Sequence, residues 1–69
     1  MEKIKLENDY IKLGQALKAA GFIESGSAAK LAICDGLVEV NGEIQYQRGK
    51  KLYDGDIVRF QEKSIKIVE

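Results

Sequence analysis

Hydrophobic and polar positions change period twice along the chain. Ile4 and Leu6 alternate with Lys3, Lys5 and Glu7, the period of a half-buried strand. Asn8 and Asp9 then stand where side chains cap a helix, and Tyr10, Leu13, Ala16, Leu17 and Ala20 recur at three- and four-residue spacing as one apolar stripe. Gly21 ends that helix. Phe22 and Ile23 anchor the connection, and Ser25, or Ser27 in a shifted frame, caps a second helix running through Asp35. Its buried face is Ala29, Ala32 and Ile33, and Gly36 supplies the left-handed residue that terminates it.

From there the period returns to 2. Val38 and Val40 face one way, Leu37, Glu39 and Asn41 the other, and Asn41-Gly42 tolerates the positive φ angles of a two-residue hairpin turn. The chain comes back through Ile44 and Tyr46, and Leu52 re-enters the core. Tyr53-Asp54-Gly55-Asp56 signals a second turn, Ile57 to Phe60 a further strand, and Ile65-Lys66-Ile67 a last one placed to pair with residues 3 to 7. The order predicts an α+β fold: a strand, two helices, then three or four strands.

Length bears on the number of cores. A chain of 69 residues buries only roughly 60% of the surface its unfolded form exposes, so residues 1–69 are expected to form a single domain. Cys34 is the only cysteine and histidine is absent, so neither an internal disulfide nor any usual zinc site can be assembled. The opening MEKIKLEND lacks the apolar run of a signal peptide, and nowhere do about 18 apolar residues follow one another. A soluble, cytoplasmic protein without membrane contact is the expectation.

Eleven basic residues balance eleven acidic ones, which by itself argues against nucleic acid as a partner. Distribution matters more than the sum. From Ile44 to Tyr53 the chain reads IQYQRGKKLY, with Arg48, Lys50 and Lys51 and no acid. Such a patch survives a neutral total, because charges further apart than roughly 8 to 10 Å are largely screened at physiological salt.

Catalysis finds little to build on. General acid and base work draws on histidine or on matched carboxylates, and Asp54 and Asp56 read as turn residues around Gly55. Cys34 has no evident partner base and reads as a small core residue. The seven glycines form neither GxGxxG nor a P-loop, so no cofactor and no small-molecule substrate is expected.

What remains is a surface of basic and hydrogen-bonding groups. Lys12 and Lys18, with Gln15 between them, project off the apolar stripe of the first helix. Ser25, Gly26 and Ser27 open the second helix, where free amides and the helix dipole suit a phosphate, and Lys30 stands one turn along. On a strand, Arg48 and Lys50 would share one face, with Lys51 turned away unless Gly49 makes a bulge. Taken singly, a solvated helix face explains Lys12 and Lys18, solubility explains Arg48, Lys50 and Lys51, and a plain helix cap, compatible with a phosphate role, explains Ser25.

LGQALKAAG (13 to 21), SGSAAK (25 to 30), DGLVEVNGE (35 to 43) and RGKKLYDGD (48 to 56), in this order and spacing, resemble the S-four (S4) RNA-binding domain. The likeness is closest to the small bacterial proteins consisting of this domain alone. It implies two helices packed on a small, mostly antiparallel curved sheet of four to five strands. It also implies a non-catalytic role, with structured RNA such as ribosomal RNA or tRNA, or a ribosomal particle, as the partner of a monomer in ribosome assembly or translation. Lys12 occupies a position usually basic in that family, and Asn41-Gly42 match its VNG motif. Ser25 stands where a Ser-Arg pair usually opens the second helix, with Gly26 here in place of the arginine. Arg48-Gly49-Lys50-Lys51-Leu52 is placed to supply that charge from the sheet side. The implied RNA-binding set is therefore Lys12, Gln15, Lys18, Ser25, Gly26, Ser27, Lys30, Asn41, Arg48, Lys50 and Lys51. A non-catalytic protein-interaction module, with Leu37, Tyr46 and Tyr53 as an exposed apolar patch, is the alternative.

Overall fold

Two short helices pack together, and their buried faces merge with the inward side of a five-stranded sheet into one hydrophobic cluster. The computed structural model describes all 69 residues. In chain order the elements are β1 (Glu2–Lys5), β2 (Ile11–Lys12), α1 (Leu13–Ala19), α2 (Gly26–Cys34), β3 (Val38–Val40), β4 (Glu43–Ile44), β5 (Lys51–Leu52), β6 (Ile57–Phe60) and β7 (Lys63–Val68). The main sheet runs β1-β7-β6-β3-β4, antiparallel throughout except for the parallel β1–β7 pair, while β2 and β5 form a separate antiparallel ribbon. This is the α+β, mostly antiparallel arrangement expected, with the last strand paired to the first.

Alternation decides which side chains go inward. Val38 and Val40, Val58 and Phe60, and Ile65 and Ile67 are all buried, with Ile4 set opposite Ile67. Helix α1 adds Leu13, Ala16 and Leu17, and α2 adds Ala29, Ala32 and Ile33. Leu52 is wholly buried, as its place in the pattern required.

Helix α1 is shorter than its stripe suggested. Asn8 and Asp9 do not cap it; the N-cap is Lys12, in extended conformation at φ −78° and ψ 148°. Ile11 and Lys12 pair instead with Leu52 and Lys51, so the β2–β5 ladder claims the backbone that would have formed the first turn. Tyr10 consequently lies outside the helix. Ser25 caps α2, its Oγ accepting from the Ala28 amide at 3.1 Å, which fixes the frame on Ser25 rather than Ser27. Cys34 is exposed at the end of α2, not a core residue.

The hairpin turn forms at Asn41 (φ 53°) and Gly42 (φ 87°), as the Asn-Gly pair predicts. Its returning strand, however, is only Glu43–Ile44. Residues 45 to 50 leave the sheet, so Arg48 and Lys50 do not sit on a strand and strand alternation does not set their directions.

Asn41 also does more than turn the chain. Its Nδ2 donates to Asp56 Oδ1 at 3.0 Å, its Oδ1 accepts from the Ile57 amide at 2.9 Å, and Asp56 Oδ2 accepts from the Tyr53 amide at 2.8 Å. The hairpin tip is thereby tied to the 53–56 turn, not to the helices. Asn41→Ala removes two of these bonds and leaves a left-handed residue without an amide to support it, so urea denaturation should show a loss of about 2 to 3 kcal/mol. Asn41→Gly should recover about 1 kcal/mol of that, the backbone share.

Candidate nucleic-acid interface

The first amides of any helix lack intrahelical partners, and in α1 the segment after β4 supplies them. Leu13 N–H donates to the Lys50 carbonyl at 2.9 Å and Gly14 N–H to the Arg48 carbonyl at 3.1 Å. The Lys12 amide donates to Gln15 Oε1 at 3.2 Å. Residues 48 to 50 are thus moored to the start of α1 through their backbone, which frees their side chains for other contacts.

Gly14 makes this mooring possible. A Cβ there would lie 2.7 Å from Arg48 Cγ, closer than such carbons approach, and a tight 3.3 Å from its Cδ, so glycine is what lets the arginine stem lie across the helix in this position. A glycine inside a helix costs about 1 kcal/mol against alanine, and the approach of Arg48 accounts for it. Gly14→Ala should leave stability within about 1 kcal/mol, because better helix propensity offsets the poorer packing of the displaced arginine stem. It should still weaken RNA binding several-fold in a filter or anisotropy assay, because the guanidinium is displaced.

Between α1, the start of α2 and the moored segment lies a cleft of about 310 Å³. Lys12, Gly14, Gln15, Lys18, Gly26, Arg48 and Gly49 line it, with no carboxylate and no hydrophobic side chain. Three cations and three glycines leave charge at the rim and little bulk to keep a phosphate backbone away. Gly26 is the first residue of α2, where the amides of Gly26 and Ser27 have no intrahelical acceptor and the helix dipole favours an anion.

The β2–β5 ribbon extends the same surface. Ile11 and Leu52 face inward, so the cross-strand pair Lys12 and Lys51 faces outward, and a second exposed pair, Tyr10 and Tyr53, follows on that side. Like charges set directly opposite one another are unfavourable in a sheet, a cost that a bound polyanion would relieve.

Of the residues the sequence singled out, Lys12, Gln15, Lys18, Gly26 and Arg48 line one cleft. Lys51 adjoins it beside Lys12. Lys30 is exposed one turn beyond Gly26, on the same side of α2 by helical spacing. Ser25 is engaged as the cap and Ser27 is exposed beside it. Lys50 lines a different groove, with Asn41, Glu43 and Gln45, and Asn41 spends its amide on the turn network. Gly14 and Gly49 were not singled out, although a glycine inside a helical pattern was the available signal. Leu37, Tyr46 and Tyr53 are exposed; Tyr46 lies against Gly36, the chain neighbour of Leu37, at the end of α2, whereas Tyr53 lies apart from them against Tyr10.

A family model described as the S4 domain matches residues 4–68. The chain belongs to the S4-domain family. Among similar proteins, the probable ribosome maturation protein RlbA of Bacillus subtilis is 43% identical over 58 residues, covering 84% of this chain and 82% of that one. The putative RNA-binding protein YbcJ of Escherichia coli is 34% identical over 62 residues, covering 90% and 89%. The solution structure of YbcJ superposes with a TM-score of 0.77 at 33% identity, over 100% of this S4 chain and 89% of that one, and is described as revealing an αL motif involved in RNA binding.

Proposed function

We propose that this S4 domain is a non-catalytic RNA-binding protein that grips structured RNA, ribosomal RNA or tRNA, and serves ribosome maturation. The carrying observation is the cleft of Lys12, Lys18 and Arg48, free of carboxylates, on a chain of net charge zero. Lys51 and Lys30 extend the basic surface on either side, and the amides at the start of α2 add anion-binding groups of no net charge. In this reading Gln15, Ser25 and Ser27 contribute hydrogen bonds around the phosphates, while Lys50 contacts RNA only where it passes the hairpin and Asn41 serves by holding that hairpin. The surface reads shape and phosphate, as proteins that bind paired RNA do. The names borne by RlbA and YbcJ support both the RNA and the ribosomal part of the reading. In this reading residues 1–69 act as one domain, in the cytoplasm and as a monomer, without a cofactor or metal.

Crosslinking in cells followed by sequencing of the attached RNA tests this. Enrichment of ribosomal RNA or tRNA fragments that is lost in Arg48→Gln is the expected result. A partner retained in full after nuclease treatment of the lysate would favour the protein-interaction reading instead. Lys3 and Lys66 provide a matched control, because they pair across β1 and β7 on the sheet face turned away from the core. Lys3→Gln with Lys66→Gln removes two charges and should change affinity less than threefold, because charges further than roughly 8 to 10 Å from the RNA are largely screened at physiological salt.

A further inference from the structure

We infer that the outward face of the β2–β5 ribbon is a stacking shelf for one unpaired nucleobase at the flank of the bound RNA. The inference rests on the RNA reading above and adds a ligand group to it. Continuing the register of Ile11 with Leu52 and Lys12 with Lys51 brings Tyr10 beside Tyr53. Their ring centroids are 6.2 Å apart with planes inclined at 52°. Lys51 Nζ sits 4.8 Å from the Tyr10 ring centre, so one ring already holds a cation against its face. Tyr10 is 37% and Tyr53 50% exposed, in a chain with only five aromatic residues.

The ribbon therefore presents two tyrosines in one row and two lysines in the next. Alternate residues on a strand lie roughly 7 Å apart, comparable to the separation between a nucleotide's base and its own phosphate. A base resting on the open face of Tyr53 leaves its phosphate within reach of Lys12 and Lys51. Lys12 belongs also to the cleft, so the shelf continues the path of the RNA backbone. A base inside a duplex is stacked on its neighbours and cannot use the shelf, whereas a bulged or terminal one can. The shelf thus selects structured RNA that carries an unpaired nucleotide beside a helix.

Two RNA hairpins distinguish the outcomes, one fully paired and one with a single 2-aminopurine bulge. For the wild-type protein the bulge should improve affinity roughly 5- to 150-fold, the range of one base stacked on an aromatic ring, and binding should quench the fluorophore. Tyr10→Leu and Tyr53→Leu should abolish the gain and the quenching while still binding the paired hairpin. Tyr10→Phe and Tyr53→Phe should keep both. Equal gain in the leucine variants, or no gain in the wild type while it binds the paired hairpin, would overturn the shelf. Binding of neither hairpin would overturn the RNA reading and the shelf with it.

Discussion

Replacing Lys12, Lys18 and Arg48 together with glutamine should lower RNA affinity roughly a thousand-fold. Hydrogen bonds to charged groups contribute about 1.5 to 3 kcal/mol each, and three at the low end amount to a little over three decades in affinity. The fold should be untouched, since all three residues are exposed and glutamine keeps the Cγ with which Arg48 crosses Gly14. Anisotropy titration with a structured RNA, alongside thermal melting, reads both quantities. Single variants should lose about tenfold or more each, and the triple variant less than their product wherever two of them share a phosphate. A triple variant that binds as tightly as the Lys3/Lys66 control would remove the cleft from the interface.

The second large effect lies beneath the interface. Leu52 has no exposed surface and is the inward residue of β5, the strand that carries Lys51 and follows directly on the moored segment. Leu52→Ala leaves a cavity and should cost about 2 to 5 kcal/mol, against a total of about 3 to 10 kcal/mol for a domain of this length. Urea denaturation should show either a strongly shifted midpoint or a chain largely unfolded in buffer. RNA binding should fall with it, because the ribbon and the 48–50 segment lose their anchor. A cost below 1 kcal/mol would mean that the ribbon is not part of the cooperative core.

Much of the fold is legible where local chemistry and burial agree. The alternation of Val38 and Val40 into Asn41-Gly42, the Ser25 cap with Ala29, Ala32 and Ile33 behind it, and the alternating Ile65 and Ile67 all appear as read. The reading of α1 fails at its start, because Tyr10 fits the helical spacing while Ile11 and Lys12 are taken by a strand forty residues further on. No local pattern announces such a pairing. Cys34 is exposed because, one residue past the wholly buried Ile33, it lies off the stripe of Ala29, Ala32 and Ile33 that faces the core.

The site divides in the same way. Residue type marks Lys12, Lys18 and Arg48 as cations, but their convergence depends on the Arg48 and Lys50 carbonyls reaching the first amides of α1. That contact spans more than thirty residues of chain. Reading 48 to 50 as a strand aims Arg48 and Lys50 the same way, whereas the loop sends them to different grooves. Gly14 is the one member whose oddity is visible locally, and its reason is visible only with Arg48 in place.

The dependence of RNA affinity on salt tests most directly whether a neutral chain concentrates its cations on one surface. About four phosphate contacts should give a plot of log affinity against log salt with a slope near −3, at roughly −0.7 to −0.9 per contact. The variant lacking Lys12, Lys18 and Arg48 should flatten to near −1, and the Lys3/Lys66 control should keep the wild-type slope. A wild-type slope indistinguishable from zero, or one equally flattened by the control, would contradict the account.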